Sequence, residues 1–217
     1  MWNESKIRYL HISDLHLTNK KLSAFKDIER AFFNDLDKIG TNIDLVFITG
    51  DIAFSGKNEE YQLAKEWIES KLLKALNLTW ESIFVVPGNH DVERDLMNKA
   101  LFIPTLNSTS IDEYNENLKQ IWYHKPTRRF IESKFSKFRN FLKKTNVIFP
   151  DDICTSWSQA FEKDGFTLSL IGANSAWAAG YDGDDNQNLI IGLPQLDESL
   201  SKLPKNIGPE AKLLYPL

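Results

Sequence analysis

The sequence predicts an α/β protein in which β-α-β units are built around a buried parallel sheet. Two observations support this fold class. The first ninety residues alternate between short apolar runs and longer amphipathic segments, which is typical of parallel strands connected by helices. The chain has 217 residues, of which 42% are hydrophobic and 26% are charged. It can therefore bury a sizeable core in one or at most two compact domains.

Short apolar runs predict three strands in this first part of the chain. They are expected at Ile7 to Ile12, Asp44 to Thr49 and Ser82 to Val86. The strands then end near His11, near Thr49 and at the last residue of the third run. In open α/β sheets, ligands bind outside the carboxyl ends of the strands, so the loops that follow these three ends are the expected location of a functional site.

Amphipathic segments between these strands predict two helices. Leu22 to Ile39 carries apolar residues three and four positions apart and is followed by Gly40, a residue that commonly ends helices. A second helix is expected from Glu59 to Leu76. The apolar residues of the first helix that should face the core are Phe25, Ile28, Phe32, Leu36 and Ile39.

The rest of the chain predicts a helical insertion followed by further strands. Residues 92–152 are polar, aromatic and rich in basic side chains, and we expect a helical insertion or cap within one domain that spans 1–217. Strand patterns return at Phe166 to Gly172 and at Leu189 to Gly192, with a helix at Pro194 to Leu203. A last strand is expected at Lys212 to Leu217.

The charge of the chain excludes a globally basic protein that coats nucleic acid. The net charge is -4 at pH 7 and the sequence pI is near 5.6. Between Lys119 and Lys144, however, nine basic residues accompany Glu132 alone, a local charge of +8. This stretch can attract phosphates. The favoured interpretation is the solvated face of a packed helix, because apolar residues recur there at helical spacing; these are Ile131, Phe135, Phe138 and Leu142.

The cysteine content indicates a reducing compartment, and the hydropathy pattern indicates a protein without a membrane segment. Cys154 is the single cysteine, which excludes an internal disulfide framework and a four-thiolate zinc site. The chain starts without a cationic leader, and it has no run of about 18 apolar residues. We therefore expect a cytoplasmic protein without a membrane segment.

Each predicted strand is followed by oxygen and imidazole donors that suit a metal ion. Asp14 and His16 are two residues apart, so in an extended segment both side chains project from one face and can bind the same ion. Asp51 can bridge two ions through its two carboxylate oxygens, and Asn89 and His90 add an amide oxygen and an imidazole. Such a set without thiolate favours Mn²⁺, Fe or Zn²⁺ in a partly open catalytic site.

Three motifs in order resemble the opening motifs of the calcineurin-like metallophosphoesterase family. They are Asp14-Leu15-His16, Gly50-Asp51 and Gly88-Asn89-His90-Asp91. The resemblance is strong over residues 7–91 and weak over 166–217. It implies a two-sheet α-β-β-α sandwich with its helices outside and a helical insertion.

This resemblance also implies a role for each motif residue. Asp14 and His16 would bind a first metal, Asp51 would bridge, and Asn89 would bind a second metal. His90 would contact the substrate phosphate or protonate the leaving oxygen, and Asp91 would orient its imidazole. His11, inside an apolar strand, is expected to be a satisfied core or supporting histidine rather than a ligand.

The later histidine motifs of the family do not occur in this sequence. We therefore expect a fragment that is cut within the catalytic domain and incomplete at its C-terminus, with a second metal site that lacks ligands. An additional C-terminal domain that selects the substrate can then follow in the intact protein.

The function implied by the resemblance is phosphoester hydrolysis by a hydroxide activated by two divalent ions, Mn, Fe or Zn. The motifs and the E-E-Y segment at Glu59 to Tyr61 look most like the cyclic-nucleotide phosphodiesterase branch, followed by the DNA-repair nuclease branch. The substrate would be a phosphodiester of a nucleotide, a cyclic nucleotide or a nucleic acid, in preference to a monoester, and a phosphoprotein phosphatase is not excluded. The alternative is a degenerate, non-catalytic module that binds nucleic acid or a protein partner through the basic insertion.

Overall fold

The computed structural model describes residues 6–19, 22–40, 42–93, 107–145, 156–179 and 189–203. The chain divides into two compact units. The first unit comprises residues 1–91 and 137–148, and the second comprises 92–136 and 149–217. The insertion expected at 92–152 is thus divided, because its residues 137–148 belong to the first unit.

The first unit contains the predicted β-α-β arrangement. Within its described residues, a sheet has the strand order β1-β2-β3 and both pairings are parallel. The central strand is the most buried, with Leu45, Val46 and Ile48 fully inaccessible to solvent. The elements of this part are, in chain order, β1 (Tyr9–Ile12), α1 (Leu22–Ile39), β2 (Leu45–Thr49), α2 (Asn58–Trp67), a π-helical turn (Ile68–Leu72), α3 (Leu73–Leu76) and β3 (Ile83–Val86).

Helix α1 has the predicted bounds, but its buried face is rotated from the predicted one. Ile28 and Ile39 are 68% and 78% exposed, so the expectation that they face the core was wrong. The physical reason is the position of Trp67, whose ring packs near three phenylalanines of α1 and draws that side of the helix inward; these are Phe25, Phe32 and Phe33. Glu29 is buried on this face and forms an ion pair with Lys71.

Helix α6 (Ser136–Lys144) packs against α2 within the first unit. The ring of Phe141 stacks on that of Tyr61 with centroids 5.3 Å apart, and Phe138 contacts the same tyrosine at 6.1 Å. Phe138, Phe141 and Leu142 are buried. The apolar stripe in this part of the insertion is therefore a packing surface, as one of the two interpretations of the sequence predicted.

The second unit combines helices with an antiparallel hairpin. Strand β4 pairs with β5 from Ser156↔Ala173 to Lys163↔Phe166. The sequence predicted β5 but not β4. The described elements of this unit are α4 (Ile111–Tyr123), α5 (Lys125–Ser133), β4 (Ser156–Lys163), β5 (Phe166–Ala173) and α7 (Leu193–Ser201).

The strand expected at Leu189 to Gly192 is not formed. Residues 189–192 are irregular, and Ile190 instead binds a turn: its amide donates to the carbonyl of Ser175, and its carbonyl accepts from Nε1 of Trp177. Ile190 is buried while Leu189 and Ile191 are exposed, so burial alternates along this segment as it would in a strand, although no strand forms. The last predicted strand, 212–217, lies outside the described residues.

The described residues therefore form a mixed α/β fold with two sheets, as predicted. No helix among them has both the length and the apolar character required to cross a membrane.

Candidate metal centre

Backbone hydrogen bonds continue beyond the carboxyl ends of the strands and hold two site loops together. The amide of His16 donates to the carbonyl of Asp51 at 2.8 Å, and the amide of Leu17 donates to that of Ile52 at 2.9 Å. The amide of Gly50 donates to the carbonyl of Val86 at 2.9 Å. Parallel strand order thus brings the first two predicted motifs to one edge, where the third also begins.

Three of the predicted metal ligands adopt left-handed backbone conformations. The φ angles are 55° at Asp14, 44° at His16 and 51° at Asp51. Residues other than glycine avoid this region, at a cost of about 1–2 kcal/mol each. Such strain persists where the surrounding structure determines the conformation, and it clusters at functional sites.

The side chains at this edge converge on a point that suits a cation. One ligand atom each from His16, Asp51 and His90 can be chosen so that all lie within 4.8 Å of one another. Nε2 of His16 is 3.7 Å from Oδ1 of Asp14 and 3.8 Å from Oδ2 of Asp51. Ligands at about 2.0–2.2 Å from one ion are separated by about 3–4 Å. The donor set therefore fits a divalent cation.

The orientation of His90 is determined by two contacts with the loop after β2. Its amide donates to Oδ1 of Asp51 at 2.9 Å, and Nδ1 of its ring lies 2.6 Å from the carbonyl oxygen of Phe54. Because a carbonyl oxygen only accepts, Nδ1 carries the proton. Nε2 then presents a lone pair when the ring is neutral and a second donor when it is protonated.

Asp91 has a different task from the one expected. Its described hydrogen bonds come from the amides of Ile52 at 3.2 Å, Ala53 at 3.0 Å and Gly88 at 3.0 Å, and from the hydroxyl of Tyr61 at 3.1 Å. The His90 ring is held by the carbonyl of Phe54 instead, so Asp91 joins the site loops rather than orienting the imidazole.

Burial changes the acidity of this joining carboxylate. It raises the pKa of Asp91 to about 6, although the amide hydrogen bonds from Gly88, Ala53 and Ile52 lower it. Asp91 is only 1% exposed to solvent. Such a buried carboxylate is stable only where donors surround it, which is the arrangement here.

Two further predictions concern Asn89, expected to bind a metal, and His11, expected to be a core or supporting histidine. Asn89 is half-buried and begins the short 3₁₀ turn Asn89–Asp91, next to His90, and its assignment as a metal ligand stays a prediction. Nε2 of His11 lies 2.6 Å from Oγ1 of Thr49. His11 is therefore paired outside the cluster, although it is exposed rather than part of the core.

Sequence reasoning missed Phe54 and Tyr61 as members of this site. Phe54 contributes a backbone carbonyl, whose direction no residue type reveals, and its ring also lies near His16, with centroids 6.0 Å apart. Tyr61 belongs to the E-E-Y segment, and this segment was the available signal.

Comparison with known proteins identifies the class of protein. A family model described as calcineurin-like phosphoesterase matches residues 7–162, which is more than half of the chain. The chain therefore belongs to the calcineurin-like phosphoesterase family, and its mixed α/β fold with two sheets is consistent with that membership. The family consists of hydrolases that bind divalent metals, and the cluster at His16, Asp51 and His90 can hold one.

Individual relatives are similar over part of their length. The chain is 27% identical over 150 residues to an uncharacterized metallophosphoesterase-like protein of Bacillus subtilis, a match that covers 68% of the chain and 30% of that protein. It is 37% identical over 92 residues to a probable glycerophosphodiester phosphodiesterase of Arcobacter nitrofigilis, covering 40% and 31%. It is 32% identical over 97 residues to a probable cyclic nucleotide phosphodiesterase of Coxiella burnetii, covering 44% and 36%. The matches span about a third of each of these relatives.

Proposed function

We propose that this chain hydrolyses phosphodiesters with divalent cations bound at Asp14, His16, Asp51 and Asn89, and that Mn²⁺ is the preferred cation. The observation that carries the proposal is the convergence of His16, Asp51 and His90, from three loops, to within 4.8 Å. The first two are proposed cation ligands, and the third is proposed to face the substrate. When bound, the cations would neutralise charge on the phosphate and lower the pKa of an attacking water.

The protein groups around the cations have separate tasks in this proposal. The amide of His90 holds one carboxylate oxygen of Asp51 and leaves the other directed toward His16. The carbonyl of Phe54 keeps the proton of the His90 ring on Nδ1. When it is protonated, Nε2 is then the atom that donates to a substrate phosphate oxygen or transfers its proton to the leaving oxygen.

The preference for a diester is supported by two relatives. One is named a probable glycerophosphodiester phosphodiesterase and the other a probable cyclic nucleotide phosphodiesterase. Each match covers about a third of a longer protein, so the experiment below, and not the names of these relatives, decides the particular diester.

Contacts within the protein engage at least three of the nine basic residues of the basic stretch, and this reduces the support for a nucleic-acid substrate. Arg128 forms ion pairs with Glu132 and Glu198 at 3.2 and 2.9 Å. Lys134 is 1% exposed and donates to the carbonyls of Trp177 and Ala179, and Lys119 pairs with Glu116. Cations that are buried or paired contribute little to phosphate binding. These contacts also weaken the support for a non-catalytic module that binds nucleic acid.

The test measures hydrolysis by the purified full-length protein, stripped with chelator and reloaded with Mn²⁺, Fe²⁺ or Zn²⁺. The substrates are bis(p-nitrophenyl) phosphate, p-nitrophenyl phosphate and a 3′,5′-cyclic nucleotide. Asp51→Asn is expected to remove at least 99% of the activity because it weakens the ligand shared by two ions. Asp37→Asn, on the exposed side of α1, is the matched control.

Two results would contradict the proposal. Faster hydrolysis of the monoester than of both diesters would identify a phosphomonoesterase. A folded protein that binds Mn²⁺ but hydrolyses none of the three substrates would support the non-catalytic module.

A further inference from the structure

The hydroxyl of Tyr61 contacts a residue that connects the two principal site loops. Tyr61 lies on α2 and is 3% exposed. Its hydroxyl is 3.1 Å from Oδ1 of Asp91 and 3.3 Å from the carbonyl oxygen of the same residue. Asp91 follows His90 directly in the chain, so the tyrosine hydroxyl contacts the residue next to a member of the candidate site.

The carboxylate of Asp91 accepts hydrogen bonds from both loops at once. Oδ2 accepts from the amides of Ile52 and Gly88, one on each loop, and Oδ1 accepts from the amide of Ala53. Tyr61 supplies the second donor of Oδ1. The orientation of the carboxylate, and with it the separation of the two loops, therefore depends on the tyrosine hydroxyl as well as on the amides.

The position of Tyr61 is in turn maintained by α6. The ring of Phe141 is nearly parallel to that of Tyr61, at an angle of 24°, and Phe138 packs against its edge. Burial, followed by the charge of Asp91, raises the pKa of Tyr61 well above its usual value. The hydroxyl therefore remains a donor over the whole working pH range.

We infer that Tyr61 is a positioning residue of the metal centre, which acts through Asp91 to set the separation of Asp51 and His90. This inference rests on the proposed function. Removing the hydroxyl leaves Oδ1 of Asp91 with one donor fewer and allows the carboxylate to rotate. Groups that orient metal ligands typically change metal affinity 10-fold to 100-fold when they are altered.

Tyr61→Phe tests the inference because it preserves the stacked ring and deletes only the hydroxyl. The measurement is the dissociation constant of Mn²⁺ on the full-length protein, followed by electron paramagnetic resonance, together with kcat and KM for bis(p-nitrophenyl) phosphate. We expect Mn²⁺ to bind about 10-fold more weakly and kcat to fall about 10-fold, with KM changed less than about 2-fold. Tyr114→Phe, on α4, is the matched control and should leave all three values unchanged.

A second variant separates positioning from general packing. Phe141→Leu removes the ring stack but keeps the hydroxyl, so it should lower the melting temperature more than Tyr61→Phe does and weaken Mn²⁺ binding less. Wild-type Mn²⁺ affinity in Tyr61→Phe would overturn the inference. So would a loss of affinity that follows the loss of melting temperature equally in both variants.

The binding measurement also distinguishes this inference from the proposed function. Mn²⁺ binding that depends on the hydroxyl, in a protein without diesterase activity, would support the positioning role and overturn the proposed reaction. A wild-type protein that binds no divalent cation would overturn both.

Discussion

Gly50 and Gly88 approach each other so closely at the edge of the parallel sheet that a side chain on Gly50 would be crowded by the backbone of Gly88. A Cβ atom on Gly50 would lie 3.0 Å from the Cα atom of Gly88 and 3.3 Å from its amide nitrogen. Gly50 also has a φ of 90°, which favours glycine. Asp51 follows the first glycine and His90 lies two residues after the second, so this contact determines how near the two side chains can be.

Gly50→Ala is expected to separate these loops. It should weaken Mn²⁺ binding and lower diester hydrolysis at least about 10-fold, because the added methyl group displaces the backbone of Gly88. Overpacking of this kind typically destabilises a protein by about 1–3 kcal/mol. Calorimetric titration with Mn²⁺ and thermal denaturation of the same samples would check both effects.

Gly40→Ala is the matched control for this variant. Gly40 has nearly the same φ, 91°, but a Cβ there would meet no atom within 4 Å. It should show only the strain of the left-handed conformation, about 1–2 kcal/mol, with unchanged Mn²⁺ affinity. Equal affinities in the two variants would show that the glycine contact does not position the site.

His90→Asn is expected to separate proton donation from metal binding. Asparagine can still donate to the carbonyl of Phe54 but has no equivalent of Nε2. If Nε2 protonates the leaving oxygen, kcat should fall about 10²-fold to 10⁴-fold for an alkyl leaving group and much less for p-nitrophenolate, which departs without a proton. Comparison of kcat for methyl p-nitrophenyl phosphate and a dialkyl phosphate would measure this difference.

A different result in this experiment would assign His90 to metal binding. An equal loss for both leaving groups, accompanied by weaker Mn²⁺ binding, would show that Nε2 is a metal ligand. A ring nitrogen of His90 lies close enough to bind the same ion, since the ligand atoms of His16, Asp51 and His90 are within 4.8 Å of one another.

Glu198 is expected to make the second unit sensitive to acid. Burial alone would raise its pKa, but hydrogen bonds from Arg128, Lys202 and Trp122 outweigh burial and lower the pKa to about 2. A lowered pKa stabilises the folded state above the unfolded pKa, 4.5, and this stabilisation is lost as the pH falls toward 2. The ion pairs of Glu198 therefore favour the folded state at neutral pH, although solvent screens part of this stabilisation.

Glu198→Gln should therefore be less stable than wild type at pH 7, and the difference should disappear near pH 2. Urea denaturation between these pH values would measure it. Glu116→Gln is the control, since Glu116 is 63% exposed in its pair with Lys119, and it should change stability by about 0.5 kcal/mol or less. A difference between wild type and Glu198→Gln that is independent of pH would contradict the assignment.

Lys134→Met is expected to destabilise the second unit. The buried ammonium of Lys134 donates to the carbonyls of Trp177 at 2.8 Å and Ala179 at 3.1 Å. Methionine has a similar length but no donor, so these buried carbonyls lose a partner, at about 1–3 kcal/mol. The melting temperature should fall relative to Lys125→Met, a substitution of an exposed lysine. Equal melting temperatures would show that the two carbonyls are satisfied without Lys134.

Local patterns were sufficient to predict much of the first unit. The bounds of α1 are those expected from its periodicity, and the three parallel strands differ from the predicted ones by at most two residues at either end. The three donor motifs follow these strands, and the structure brings His16, Asp51 and His90 together. Periodicity and turn residues determine such features because they depend on neighbours along the chain.

The tertiary structure decided what depends on contacts between distant segments. Whether Ile28 or Phe33 of α1 is inside was settled by the position of Trp67, and the formation of β4 by its pairing with β5. The tasks of Asp91 and the Phe54 carbonyl likewise required the loops to be assembled. A sequence specifies which groups are available as donors and acceptors, whereas the direction of a carbonyl or a buried carboxylate follows from the surfaces that meet when the chain folds.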